Sequence, residues 1–244
     1  GIIWNIVTWW YGIPSSSSHA LIGGIVGAVI AKAGAGALIA SGVLKTVLFI
    51  FVSPLLGFLL GSLLMVVVAH LFRRASPLRV DNLFRRLQLV SAGLYSLGHG
   101  GNDAQKTIGI IWLLMITAGI STSDVSTLPM WVVYSCYGAI AWGTYLGGWR
   151  IVKTMGSKIT KLNAVSGSCA SMGGAISLGL ATLGGIPVST THTITGAIVG
   201  VGSVQRASAV RWGVAANIVW AWVFTIPASA FVAAIAYSVS LYLF

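Results

Sequence analysis

The sequence predicts an all-α, polytopic membrane protein with inverted repeats, broken helices and re-entrant hairpins. Three observations carry that expectation: the composition, the lengths of the apolar runs, and a duplicated helix break. Of 244 residues, 57% are hydrophobic and 7% charged, against about 25% charged in an ordinary soluble domain. The 31 glycines and 10 tryptophans suit helices packed within lipid. A net charge of +11 invites a nucleic-acid reading, but the basic residues sit in short segments between apolar runs. Positive-inside topology puts them there, so no nucleic-acid partner is expected and the lipid bilayer is. Cys136 and Cys169 lie in apolar stretches without metal-ligand spacing, read as packing residues, and leave no metal site expected.

A span needs about 20 apolar residues to cross about 30 Å of hydrocarbon. Residues 1–31 are interrupted at Gly12-Ile13-Pro14-Ser15-Ser16-Ser17-Ser18-His19 and read as a re-entrant hairpin. Residues 43–72 are long enough to span, and Arg73 and Arg74 end them. Residues 87–118 are also long enough, but Gly98-His99-Gly100-Gly101-Asn102-Asp103 reads as a break that opens a half-helix at Asn102 and Asp103. Residues 128–149 form a clean span. Residues 164–202 are interrupted from Gly184 to His192; the arm that follows rises only about 20 Å at 1.5 Å per residue. That is too short to cross, so this segment reads as a second re-entrant hairpin. Irregular backbone at membrane depth is tolerated only where it lines a cavity or is buried in protein. The last span runs from Trp212 to about Phe244, and Pro227 is expected to kink it.

Charge sets the orientation. Arg73, Arg74, Arg79, Arg85 and Arg86 mark one inside loop, Arg150, Lys153, Lys158 and Lys161 a second, and Arg206 with Arg211 a third. Residues 119–127 carry no Lys or Arg and belong outside, with Lys32 and Lys45 on the other outer segment. The first hairpin then opens from outside and the second from inside.

The two hairpins repeat one another at an offset of 173 residues. Gly12, Ile13, Pro14, Ser16, His19, Gly23, Ile25, Val26 and Gly27 recur as Gly185, Ile186, Pro187, Ser189, His192, Gly196, Ile198, Val199 and Gly200, nine identities in sixteen positions. Two copies of opposite orientation are characteristic of secondary transporters, whose broken helices meet near the midplane to form the substrate site. After each Pro comes a hydroxyl run that opens a helix: Ser15, Ser16, Ser17 and Ser18, then Ser189, Thr190 and Thr191. Free N–H groups, hydroxyl donors and the positive helix end make an anion site without a fixed cation. The same hydroxyls also serve as plain caps, and spacing alone does not separate the two roles. Asp103 is an intramembrane carboxylate, a functional candidate by its cost alone, read as a coupling-ion ligand or proton carrier. Lys106 either neutralises it or attracts the anion. His19, His192 and His99 are candidate donors or packed rings, while Asp81 and Asp124 read as solvated or capping groups. A serine hydrolase is disfavoured, because no Gly-x-Ser-x-Gly nucleophile elbow is present; no catalytic residue is expected.

Gly98-His99-Gly100-Gly101-Asn102-Asp103-Ala104-Gln105-Lys106-Thr107-Ile108-Gly109 resembles the signature of the inorganic phosphate transporter (PiT) family, bacterial low-affinity branch. Pro187 to His192 and Pro14 to His19 resemble its paired Pro-Ser/Thr-His segments, and the likeness runs on through Trp212 to Ser229. The resemblance implies a secondary transporter of inorganic phosphate in the cell inner or plasma membrane, symporting protons or sodium by alternating access, without a cofactor. It places Asn102, Asp103 and the two hydroxyl runs in or beside the substrate and ion sites, with His19, His192, His99, Gln105 and Lys106 as further candidates. Sulfate is the alternative oxyanion, and a metal–phosphate complex and a homo-oligomer stay open. The family carries two Asn-Asp copies and this chain one. The repeat offset puts the partner of Asp103 about 70 positions before Gly1, so the amino-terminal part of the family pattern is expected to be missing. Residues 1–72 then close the first repeat, 73–86 form a basic cytoplasmic loop, and 87–244 form the second repeat.

Overall fold

The computed structural model describes residues 1–186 and 188–243. Among these residues nine α-helices follow in order and no strand occurs: α1 Ile2–Tyr11, α2 Ser17–Ala33, α3 Ala40–Leu71, α4 Pro77–Thr117, α5 Met130–Leu146, α6 Trp149–Lys153, α7 Ala164–Leu183, α8 Thr190–Gln205 and α9 Trp212–Leu243. By length and composition α3, α7 and α9 can each cross a membrane. α3 shows how a helix is built for lipid. Its buried side carries Thr46, Ile50, Ser53, Gly57 and Gly61, while Leu48, Phe51, Leu55, Leu59 and Leu63 point outward. Small residues let backbones approach, and the large apolar ones have hydrocarbon as their solvent.

The most extensive contacts pair α3 with α8 and α2 with α9. At the repeat offset α2 corresponds to α8 and α3 to α9, so each short helix lies against the long span of the other repeat. The contacts correspond as well. A Cβ on Gly196 would overlap the Pro54 carbonyl, and one on Gly23 would meet the Ile226 carbonyl and Ser229. Pro54 and Pro227 are themselves equivalent and lie inside continuous helices, so Pro227 does not end α9. The main core sits where α3, α7, α8 and α9 meet, around Ile50, Ala170, Ala197, Val201, Ile218 and Trp222.

Three expectations are corrected. No helix break occurs at Gly98–Asp103: α4 runs unbroken for 41 residues. Real breaks occur where a glycine takes positive φ, as at Gly12 (φ 66°) before Pro14 and at Gly147 (φ 77°). None of Gly98, Gly100 and Gly101 takes positive φ. Glycine in a helix costs only about 1 kcal/mol against alanine, less than stranding backbone groups at membrane depth. Residues 73–86 are not a loop throughout, because Pro77 at the first turn starts α4 and Asp81 pairs with Arg85 at 2.7 Å within it. The span expected at 128–149 stops at Leu146, where Gly147 turns the chain at φ 77° into the short α6. The arm expected to be too short to cross is the 16-residue α8, and its 20-residue partner α7 is long enough to do so. The uninterrupted α7 begins at a capping box of Asn163 and Ser166.

Candidate functional site

Both hairpins present the start of a helix to the same acidic side chain. Ser16 is the N-cap of α2 and its hydroxyl accepts from the His19 N–H at 3.2 Å; Ser189 caps α8 and accepts from the His192 N–H at 3.3 Å. These equivalent serines close the helix ends locally. One or two residues on, the hydroxyls turn outward. Ser18 donates to Asp103 Oδ1 at 3.3 Å and Thr190 donates to Asp103 Oδ2 at 3.1 Å. The two oxygens of one carboxylate therefore each take a hydroxyl from a different repeat. Two positive helix ends with hydroxyl donors attract an anion, and here that anion is Asp103.

Lys106 completes the cluster. Its Nζ donates to Asp103 Oδ1 at 3.0 Å, to Ser18 Oγ at 2.7 Å and to the Val188 carbonyl at 3.1 Å. The lysine neutralises the aspartate and ties α4 to both helix starts. Tyr95 donates to the Thr190 carbonyl at 3.0 Å, and His99 lies with Nδ1 3.8 Å from Asp103 Oδ2. Its ring is stacked on Tyr95. Spacings of four, four and three residues put Tyr95, His99, Asp103 and Lys106 on one face of α4. A cavity of about 230 Å³ opens beside them, with Ser18, His19, Thr46, Lys106 and Val188 in its wall.

The remaining expected residues divide. Asn102 is buried and its Oδ1 has no hydrogen-bond partner among the described residues. Adjacent residues on a helix diverge by about 100°, so it does not share the face of Asp103. His19 and His192, equivalent in the repeat, meet edge to face with ring centroids 4.7 Å apart, and His192 stacks on Trp222 at 3.9 Å. Neither ring bonds Asp103, Ser18 or Thr190. Ser15 donates to Thr8 at 2.8 Å within its own hairpin. Ser17 and Gln105 are exposed, and Thr191 is half-buried with no side-chain bond. Pro187 lies outside the described residues. Asp81 pairs on the surface with Arg85. Asp124 caps a short turn, and the Ser126 N–H holds its carboxyl below the ordinary range.

Three participants were missed: Tyr95, the Val188 carbonyl, and Trp222, whose indole donates to the Pro14 carbonyl at 3.1 Å. The spacing from Tyr95 to Asp103 was available, but a presumed break at Gly98 cut that face in two.

The phosphate transporter family profile matches residues 1–80 and 73–233. The chain belongs to the phosphate transporter family. A protein of Rhizobium meliloti called a probable low-affinity inorganic phosphate transporter is 61% identical over 236 residues, 97% of this chain and 70% of that relative. One of Bacillus subtilis with the same description is 46% identical, over 97% of this chain and 71% of its own length. A solved structure described as the sodium-dependent phosphate transporter shares the fold at a TM-score of 0.87. It is 22% identical, and the match covers 99% of this chain and 77% of that one. This family member is thus a membrane protein, and its relatives are transporters rather than enzymes.

Proposed function

We propose that this phosphate transporter family member carries inorganic phosphate across the membrane by symport with protons or sodium, using alternating access between the two hairpins. The observation that carries the reading is the single carboxylate, Asp103, bonded at once to Ser18 of one hairpin and Thr190 of the other. The names of relatives at 61% and 46% identity support phosphate as the substrate.

The chemistry follows from charge. In its ionised form Asp103 engages both hydroxyls and Lys106, leaving no net charge to attract a second anion. A proton or a sodium ion on the carboxylate cancels its charge, so Lys106, Ser18, Thr190 and the free N–H groups of α2 and α8 become available to phosphate. The bare oxygen of Asn102 suits a cation better than an anion, which favours a coupling-ion role there. Cation and phosphate then bind better together than apart, and the coupling is reciprocal. The equivalent contacts of α2 with α9 and of α8 with α3 supply two related halves that can exchange arrangements, as inverted repeats do.

The test is phosphate uptake by the full-length protein in liposomes, with sodium and pH gradients imposed separately and sulfate as competitor. Uptake above equilibrium under one gradient, with weak sulfate competition, is expected. Equilibration that ignores both gradients overturns symport, and equal competition by sulfate overturns phosphate selectivity.

A further inference from the structure

The basic residues around the end of α8 form a site of their own, independent of the transport reading. Lys161, Arg206 and Arg211 surround a cavity of about 470 Å³ whose wall also includes Ser157, Thr160 and Gln205. None of the three cations has a side-chain hydrogen bond or an ion pair among the described residues. The chain's three aspartates are engaged elsewhere: Asp81 with Arg85, Asp103 with Lys106, and Asp124 with Ser126. Three positive charges therefore share one concavity with no counter-ion among the described residues.

The cavity is held in shape from below. The Arg211 N–H donates to the Ile159 carbonyl at 2.9 Å, and the Ala209 N–H to the Arg206 carbonyl at 2.8 Å. Ile159 is fully buried and Val210 nearly so, both within the main core. Thr160 packs against Gly202, and its buried hydroxyl has no hydrogen-bond partner. The rim is thus fixed while its charged tips are free. A second basic cavity on the other side of the same segment, by Trp10 and Gly12, differs here. Its Arg150 already lies 4.8 Å over the Trp10 ring and donates to the Trp10 carbonyl.

Position points to the chemistry of the ligand. Trp212, half exposed at the start of α9, donates from its indole to the Ala207 carbonyl at 3.0 Å. Tryptophans with an apolar body and a bonded N–H collect at the membrane–water boundary, and basic pockets at that level hold anionic headgroups. We propose that Lys161, Arg206 and Arg211 form a binding site for a phosphate oxyanion at the membrane boundary, filled either by an anionic phospholipid headgroup or by free inorganic phosphate. Guanidinium pairs suit tetrahedral oxygens, because each arginine offers two parallel N–H donors.

The test compares the full-length protein with its Lys161→Gln/Arg206→Gln/Arg211→Gln variant. Thermal unfolding is followed in vesicles of phosphatidylcholine alone, in equal parts phosphatidylcholine and phosphatidylglycerol, and in phosphatidylcholine with added inorganic phosphate. The transport site is intact in both proteins, so only the difference between them reports on this cavity. A lipid headgroup site predicts that phosphatidylglycerol stabilises the parent and that the variant needs roughly tenfold more of it. A free-phosphate site predicts the same loss in the phosphate arm instead. Either dependence should weaken with added salt. If the triple variant does not fold, Arg206→Gln alone repeats the titrations, since that side chain has no partner among the described residues to lose. Identical responses of parent and variant in both arms overturn the site, as does a parent that responds to neither.

Discussion

At the scale of residues, the structure separates hydroxyls that look alike in sequence. Ser16 and Ser189 accept N–H bonds at the helix starts, whereas Ser18 and Thr190 donate to Asp103. Ser16→Ala and Ser189→Ala should each cost about 1 kcal/mol of stability and leave the apparent phosphate affinity near that of the parent. Ser18→Ala and Thr190→Ala should do the reverse, weakening uptake more than stability; a charged hydrogen bond is worth roughly 1.5–3 kcal/mol. Thermal unfolding and uptake, measured on the same four variants, check the division, and four indistinguishable variants would refute it. Asp103→Asn tests coupling. It removes the charge that opposes phosphate and leaves Lys106 unpaired, so the variant should still bind phosphate but no longer accumulate it against a gradient. Accumulation by Asp103→Asn at the parental level would end the coupling assignment.

At the scale of elements, glycine decides how closely helices approach. Gly196 on α8 and Gly23 on α2 are equivalent, and each faces backbone of the opposite long span with no room for a Cβ. Gly196→Ala and Gly23→Ala should therefore each destabilise the protein, by about 1–3 kcal/mol for overpacking. Gly109 on α4 has open space around it, and Gly109→Ala should be neutral or stabilising by up to about 1 kcal/mol. Unfolding temperatures of the three variants provide the check, and equal losses in all of them would contradict close approach as the cause. The hairpins were legible because Gly, Pro and a hydroxyl cap coincide in both copies. The continuity of α4 was not, because a cluster of glycines looks the same in sequence whether it is helical or broken. Only the neighbouring elements settle which conformation is cheaper.

At the scale of the whole molecule, the repeat is a packing arrangement as well as a sequence likeness. α3 lies on α8 and α9 on α2, so the main core is shared between the two repeats. Opposite orientation of the two copies predicts sidedness. With Cys136 and Cys169, both buried, replaced by alanine, single cysteines at Gly36 and Ser123 should react with an impermeant thiol reagent from outside. Those at Ala75 and Ser208 should react only from inside. Gly36 and Ala75 labelled from the same side would contradict the topology, since a single long helix, α3, separates them.

Composition and apolar run length by themselves determined the membrane class, because a chain with 7% charge cannot solvate a soluble surface. The recurrence of Pro, His and hydroxyl after each glycine turn likewise determined where the two short helices begin. Their capping chemistry is local, and it reads directly from neighbouring residues. Only the tertiary structure decided that Asp103 joins both helix starts, that Lys106 neutralises it, and that the paired histidines meet edge to face with His192 stacked on Trp222 instead. The bonds of Asp103 to Ser18 and Thr190 link residues more than eighty positions apart, and no local preference encodes which donor reaches which oxygen. Packing α4 against α7, with its polar face turned to both helix starts, makes that choice.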